Sequence, residues 1–135
     1  MSFLNLKTKM KFTYPKSEKL KSKKTIDLLF SKGKSVSKYP LRLVYVGLNP
    51  TEENHHFVGV SVSKKYFKKA VDRNYYKRLL RESYRLNQHL LQDALQQPSA
   101  VMLFYQTSDA MNLEQMQHKM RLLFEKLKQN SSAQI

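Results

Sequence analysis

From Ser63 to Arg85 the chain reads SKKYFKKAVDRNYYKRLLRESYR, with nine cationic residues: Lys64, Lys65, Lys68, Lys69, Arg73, Lys77, Arg78, Arg81 and Arg85. Only Asp72 and Glu82 oppose them. Guanidinium forks make paired, charge-assisted hydrogen bonds to phosphate, and lysine acts as a point charge. The Asn74 amide donates and accepts at once, which suits a base edge or a ribose hydroxyl. Helix capping competes with that role. At about 100° per residue, Arg73, Asn74, Lys77, Arg78, Arg81 and Arg85 fall within one helical arc of roughly 140°. Val71, Tyr75, Tyr76, Leu79, Leu80 and Leu86 fall on the other side. The spacing therefore predicts a helix anchored by one face that offers the other to a phosphate backbone. The bland alternative is a solvated face, but few acids are placed for i,i+4 pairing.

A helix over about 69–87, with an extension toward Leu95, needs elements to hold it. Residues 22–31 predict a short helix: Ser22 caps it, Ile26, Leu29 and Phe30 share a face, and Gly33 stops it. Residues 41–48 are rich in strand formers between Pro40 and Asn49-Pro50. Residues 51–56 are a polar turn in which His55 and His56 are expected to be solvated. Residues 57–63 alternate, with Val58, Val60 and Val62 facing one way and Phe57, Gly59, Ser61 and Ser63 the other. Residues 99–106 are continuously apolar, as in a central strand covered on both faces. A last helix from about Asn112 carries the stripe Leu113, Met116, Met120, Leu123, Phe124 and Leu127. These elements predict one α+β domain over 17–130, a basic flexible arm over 1–16 and a frayed tail over 131–135.

Composition narrows the partners. The chain has 135 residues and a formal net charge of +15, with 41% hydrophobic residues. Such a charge opposes a compact state by self-repulsion and calls for a polyanion, with nucleic acid first and an acidic membrane surface second. Eleven lysines lie within residues 1–40, so two basic blocks flank a nearly neutral middle. No apolar run reaches the roughly 18 residues of a membrane span. The N-terminus lacks a signal peptide's apolar core, and the cytoplasm is the expected compartment. Cysteine is absent, which excludes disulfides and thiolate chemistry. His55, His56, His89 and His118 lack metal-ligand spacing, and the scattered acids form no catalytic pair. No catalytic or metal site made of protein side chains is expected.

Val60-Ser-Val-Ser-Lys-Lys65, followed by Ala70-Val-Asp-Arg-Asn-Tyr-Tyr-Lys-Arg-Leu-Leu-Arg-Glu82, resembles the signature of the bacterial ribonuclease P protein subunit. That family shows a VSKK-like strand end, an Arg-Asn-Arg core, then Lys-Arg and Arg-Glu one turn apart. Leu20 to Val36 is similar to its N-terminal helix and following turn, and the resemblance covers roughly residues 18–128. Two departures stand out. Tyr75 replaces the third residue of the Arg-Asn-Arg core, and by helical phase it is expected to point inward. Tyr66-Phe-Lys-Lys69 stands where Gly-Asn is frequent.

The resemblance implies an α/β sandwich of order α-β-β-β-α-β-α, with about four strands and a left-handed β-α-β crossover. It implies the protein subunit of a ribonucleoprotein endoribonuclease that removes the 5′ leader of precursor tRNA. The catalytic RNA performs the hydrolysis with Mg2+ held by RNA and substrate. Lys64, Lys65, Arg73, Asn74, Lys77, Arg78, Arg81 and Arg85 are then expected on the catalytic RNA. Ile26, Phe30, Tyr45, Phe57 and Lys68 are expected around the leader, where core packing is the competing role for Ile26 and Phe30. Anions are expected to occupy the free protein. A general RNA-binding protein with a similar sandwich, or a DNA-binding protein, would share the basic helix. No helix-turn-helix pattern supports the DNA reading.

Overall fold

A computed structural model describes residues 12–49 and 55–133. After a 3-10 turn at Lys16–Glu18, the elements are α1 (Lys23–Lys32), β1 (Lys34–Lys38), β2 (Leu41–Gly47), β3 (Phe57–Val62), α2 (Ala70–Ala94), β4 (Ser99–Tyr105) and α3 (Leu113–Ala133). The four-stranded sheet has the order β1-β2-β4-β3. The β1–β2 and β2–β4 pairs are antiparallel, and β3 runs parallel to β4. The expected α+β sandwich and element order are therefore present.

The strand alternation divides the core. Val58 and Val62 of β3, Leu41 and Leu43 of β2, and Val101, Leu103 and Tyr105 of β4 are buried on one face. That face meets Tyr76, Leu80, Tyr84 and Leu91 of α2 and Met116, Met120, Leu123, Phe124 and Leu127 of α3. The opposite face carries Val44, Ala100 and Met102, covered by Leu29 of α1.

The ends of the helices follow from local chemistry. Ser22 Oγ accepts from Thr25 N at the start of α1. Asn112 and Gln115 form a reciprocal capping box before α3: Gln115 N donates to Asn112 Oδ1 at 2.8 Å, and Asn112 N to Gln115 Oε1 at 3.0 Å. Gly33 N donates to Leu29 O at 2.8 Å and closes α1. A Cβ at Gly33 would lie 2.1 Å from that carbonyl oxygen and 2.8 Å from Val44 Cγ1, so α1 can turn into β1 only through a glycine.

Three expectations are altered. The arm expected over 1–16 lies outside the described residues up to Lys11, but residues 12–16 are tied down. Arg85 donates to Phe12 O at 2.8 Å, Gln88 Nε2 donates to Thr13 O at 2.8 Å, and Tyr14 donates its hydroxyl to Val58 O. Tyr14 meets Tyr84 edge-on at 5.0 Å, and burial pushes its phenol up to about 12. Within the tail expected to be frayed over 131–135, helix continues through Ala133, and the last two residues lie outside the described residues.

His56 is the third correction: it is 3% exposed, not solvated. Its Nδ1 accepts from Ser99 N at 3.1 Å, which fixes the start of β4. Burial holds its pKa below the ordinary imidazole value, and the neighbouring His55 adds to the effect. A depressed folded-state pKa means the unfolded chain takes the proton first. The stability His56 supplies is therefore complete above about pH 6.5 and lost as the pH falls through the folded value. Thermal unfolding at about pH 8 and pH 5 should show a loss at acid pH that is smaller in His56→Asn, which keeps an acceptor but does not titrate. Equal acid losses in both proteins would refute this role.

Candidate nucleic-acid interface

The basic segment enters the fold through an aromatic anchor. Phe67 stacks on Tyr76 with ring centroids 4.5 Å apart, and Tyr76 stacks on Tyr105 at 4.9 Å. The stack clamps the β3–α2 loop to the start of α2 and the end of β4. Tyr66 N and Phe67 N both donate to Ser63 O, so the loop turns tightly after the strand. Lys64, Lys65, Lys68 and Lys69 are left exposed on it. Lys65 Nζ lies 5.5 Å over the Tyr66 ring. Thus Tyr66-Phe67-Lys68-Lys69 supplies an anchor and cations beside the N-terminal, positive end of α2.

Along α2, Asn74, Arg78 and Arg81 are exposed and Lys77 is half-buried at the flank. Their side chains make no hydrogen bond or ion pair among the described residues. Arg73 and Arg85 sit differently from the expectation. Arg73 turns back and donates to Phe67 O at 3.0 Å and Lys68 O at 2.8 Å, bracing the loop. Arg85 grips Glu82 through both carboxylate oxygens, at 3.1 and 2.6 Å, besides holding Phe12 O. Hydrogen bonding from Arg85 lowers the Glu82 pKa. The outer face therefore centres on Asn74, Lys77, Arg78 and Arg81, with Arg73 and Arg85 fixing its two ends.

The phase of α2 also departs from the expectation. Ser83, Asn87 and Gln88 are buried alongside Tyr76, Leu80, Tyr84 and Leu91. Asn87 Nδ2 donates to Ser83 O at 2.8 Å, and Gln88 holds the segment before the 3-10 turn. The buried arc is therefore rotated relative to the expectation, and Tyr75 and Val71 are turned outward. Tyr75 is 49% exposed rather than packed in the core.

On the sheet face under α1, the ladder aligns Arg42, Phe104 and Ser61 across β2, β4 and β3. Phe30 is 60% exposed on α1, and its ring centroid is 6.3 Å from that of Phe104. The Arg42 guanidinium lies 5.8 Å over the Phe104 ring, and its Nε donates to Ser35 Oγ at 3.0 Å. Half-buried Ile26 lies one turn before Phe30 on α1. Phe57 shares this sheet face but lies at its other end, four residues from Ser61, with its ring 4.7 Å from that of His55. Lys68 is exposed on the β3–α2 loop, and no described contact joins it to Phe30 or Phe57.

Tyr45 is a correction. It pairs with Val101 and packs with the core beneath α2 and α3, so it faces away from Phe30 and Phe57. A strand alternates its faces residue by residue, so a one-residue uncertainty in alignment reverses the assignment. Phe104 and Arg42 occupy the face instead. Sequence reasoning missed Phe104 because the run 99–106 reads as apolar throughout.

The family model described as Ribonuclease P matches residues 14–128. The chain belongs to the Ribonuclease P family. The ribonuclease P protein component of Porphyromonas gingivalis is 46% identical over 86 residues, covering 64% of this chain and 63% of that protein. That of Chlorobaculum tepidum is 38% identical over 84 residues, covering 60% and 54%. The chain thus spans under two thirds of the length of these curated relatives. The fold is shared with the Staphylococcus aureus RNase P protein, at a TM-score of 0.66 and 23% identity over 82% of this chain and 95% of that one. The Thermotoga maritima RNase P protein gives 0.63 at 20% identity, over 80% and 96%.

Proposed function

We propose that this chain is the RNA-binding protein subunit of a ribonuclease P ribonucleoprotein and assists removal of the 5′ leader from precursor tRNA. The observation that carries the reading is the outer face of α2, where Asn74, Lys77, Arg78 and Arg81 make no hydrogen bond or ion pair among the described residues, in a chain of this family. In this reading that face and Lys64, Lys65, Lys68 and Lys69 neutralise phosphates of the catalytic RNA, and Arg73 and Arg85 hold the face in shape. Neutralisation also relieves repulsion between the catalytic RNA and its polyanionic substrate. The free protein would take up inorganic anions on the same cations.

The leader would cross the sheet face under α1. Phe30 and Phe104 offer rings to successive bases, Arg42 offers charge to the phosphate between them, and Ile26 contributes apolar contact. Phe57 extends the track at its far end. The hydrolytic step belongs to the RNA, with Mg2+ on RNA phosphates. Among the described residues, no group of three or more His, Asp or Glu is placed to hold a metal ion.

The test is cleavage of precursor tRNA by a bacterial ribonuclease P RNA at low Mg2+, with and without this protein. Restored cleavage at the mature 5′ end is expected. Within that assay Phe30→Ala should weaken precursor tRNA about tenfold and leave mature tRNA unchanged, in line with stacking worth about 1–3 kcal/mol per base. Tyr45→Ala should not discriminate between the two. Tight RNA binding without stimulated cleavage would reduce the protein to a general RNA-binding role.

A further inference from the structure

Val71 and Tyr75 lie one turn apart on α2 and are 70% and 49% exposed. They border the charged face of the helix, next to Arg78 at its edge. Val71 gains nothing from a phosphate, and Tyr75 could offer one only its hydroxyl, not its ring. An apolar pair in such a place gains only from a partner that offers both charge and an apolar surface. Duplex RNA presents mainly phosphates and ribose edges along a helix face, whereas an unpaired nucleotide presents the flat π-face of its base.

The ring of Tyr75 is held for such contact. Its plane stands at 90° to that of Tyr76, with centroids 5.0 Å apart, and Tyr76 is itself locked in the stack with Phe67 and Tyr105. A hollow of about 340 Å³ adjoins the ring, lined by Tyr76, Ala110, Met111, Asn112 and Gln115. Its lining combines the apolar Ala110 and Met111 with the amides of Asn112 and Gln115. The capping box uses the amide oxygens of Asn112 and Gln115, leaving their amino groups as donors toward a base edge.

We infer that Tyr75, backed by Val71, is a stacking platform for one unpaired nucleobase of the RNA bound along α2. The inference rests on the RNA-binding reading above and adds a contact that is insensitive to salt. It makes the face selective for RNA with an unstacked nucleotide at that point over continuous duplex.

The chain has no tryptophan, so Tyr75→Trp places its sole indole at the site. Titration with a bacterial ribonuclease P RNA should quench that indole in step with binding measured by filter retention. Tyr75→Ala should weaken binding about tenfold without changing the slope of log K against log salt, and Tyr75→Phe should bind as the parent does. Full binding with an unquenched indole, an unaffected Tyr75→Ala, or a loss carried by a changed salt slope would each overturn the platform while leaving RNA binding intact. Failure of the parent protein to bind the RNA would overturn the underlying reading and the platform with it.

Discussion

Replacing Arg78 and Arg81 together with alanine is expected to weaken association with ribonuclease P RNA by roughly a hundredfold near physiological salt. Each guanidinium is exposed, carries no hydrogen-bonding partner among the described residues, and lies on a helix fixed by its opposite face. A charge-assisted hydrogen bond contributes about 1.5–3 kcal/mol, and water-exposed contacts belong at the lower end. Two such losses approach about 3 kcal/mol, or roughly two powers of ten. The slope of log K against log salt should also fall by about 1.5, since each neutralised phosphate contributes about 0.7–0.9. Arg121→Ala with Lys128→Ala makes a charge-matched control, because both residues are exposed on α3. Equal weakening by the control would mean that net charge, not the α2 face, drives binding. Far-ultraviolet circular dichroism should be unchanged in both variants.

The second large effect is on stability. Gly33→Ala is expected to cost about 3 kcal/mol or more, the upper range for overpacking a tight site. For a chain of this length that corresponds to about 10 °C in Tm. The new methyl would meet Leu29 O at 2.1 Å, the oxygen that Gly33 N needs for the last turn of α1. It would also meet Val44 Cγ1 at 2.8 Å, on a buried residue of the sheet. Neither obstacle is a flexible end that can swing aside. Gly47→Ala is the comparison: its Cβ would meet only the end of the Gln97 side chain, with Nε2 at 2.8 Å. Both variants restrict the unfolded chain alike, so the difference between them isolates the native clash. Equal melting temperatures would show that α1 can shift without cost. Because α1 carries Phe30, the clash should also disturb the aromatic track.

The elements whose signal is carried by burial were legible in the sequence. The alternation at 57–63 gives β3, the apolar run at 99–106 gives the central strand β4, and the Met-rich stripe gives α3. β1 was weakly marked, because Val36 alone is buried among Lys34, Ser35, Ser37 and Lys38. The basic face of α2 was legible as a set of residues but not in phase. Hydrophobic periodicity assigns Tyr75 inward, but the buried arc takes in the polar Ser83, Asn87 and Gln88 instead, and Gln88 is held there by Thr13 O from far along the chain. Arg73 and Arg85 could not be separated from Arg78 and Arg81 by spacing, since their partners are backbone carbonyls and one carboxylate. His56 gave no signal because its acceptor role depends on Ser99, forty-three positions away.

The strand order also governs when the molecule becomes competent as the chain is made. Among the described residues β3 pairs along its length with β4 and has a single bridge, from Lys19 to Val58, on its other side, and β4 is the inner strand that joins β3 to β2. A nascent chain ending at Pro98 has already made every cation of α2 but lacks the strand that holds β2 and β3 together. The pairing of Leu41 with Tyr105 then closes a long loop, a slow kind of contact. Tyr105 also completes the aromatic stack that seats Phe67 and the start of α2. The basic helix is therefore synthesised first and locked in place last, so emergence of a single inner strand couples completion of the sheet to a rigid cationic face.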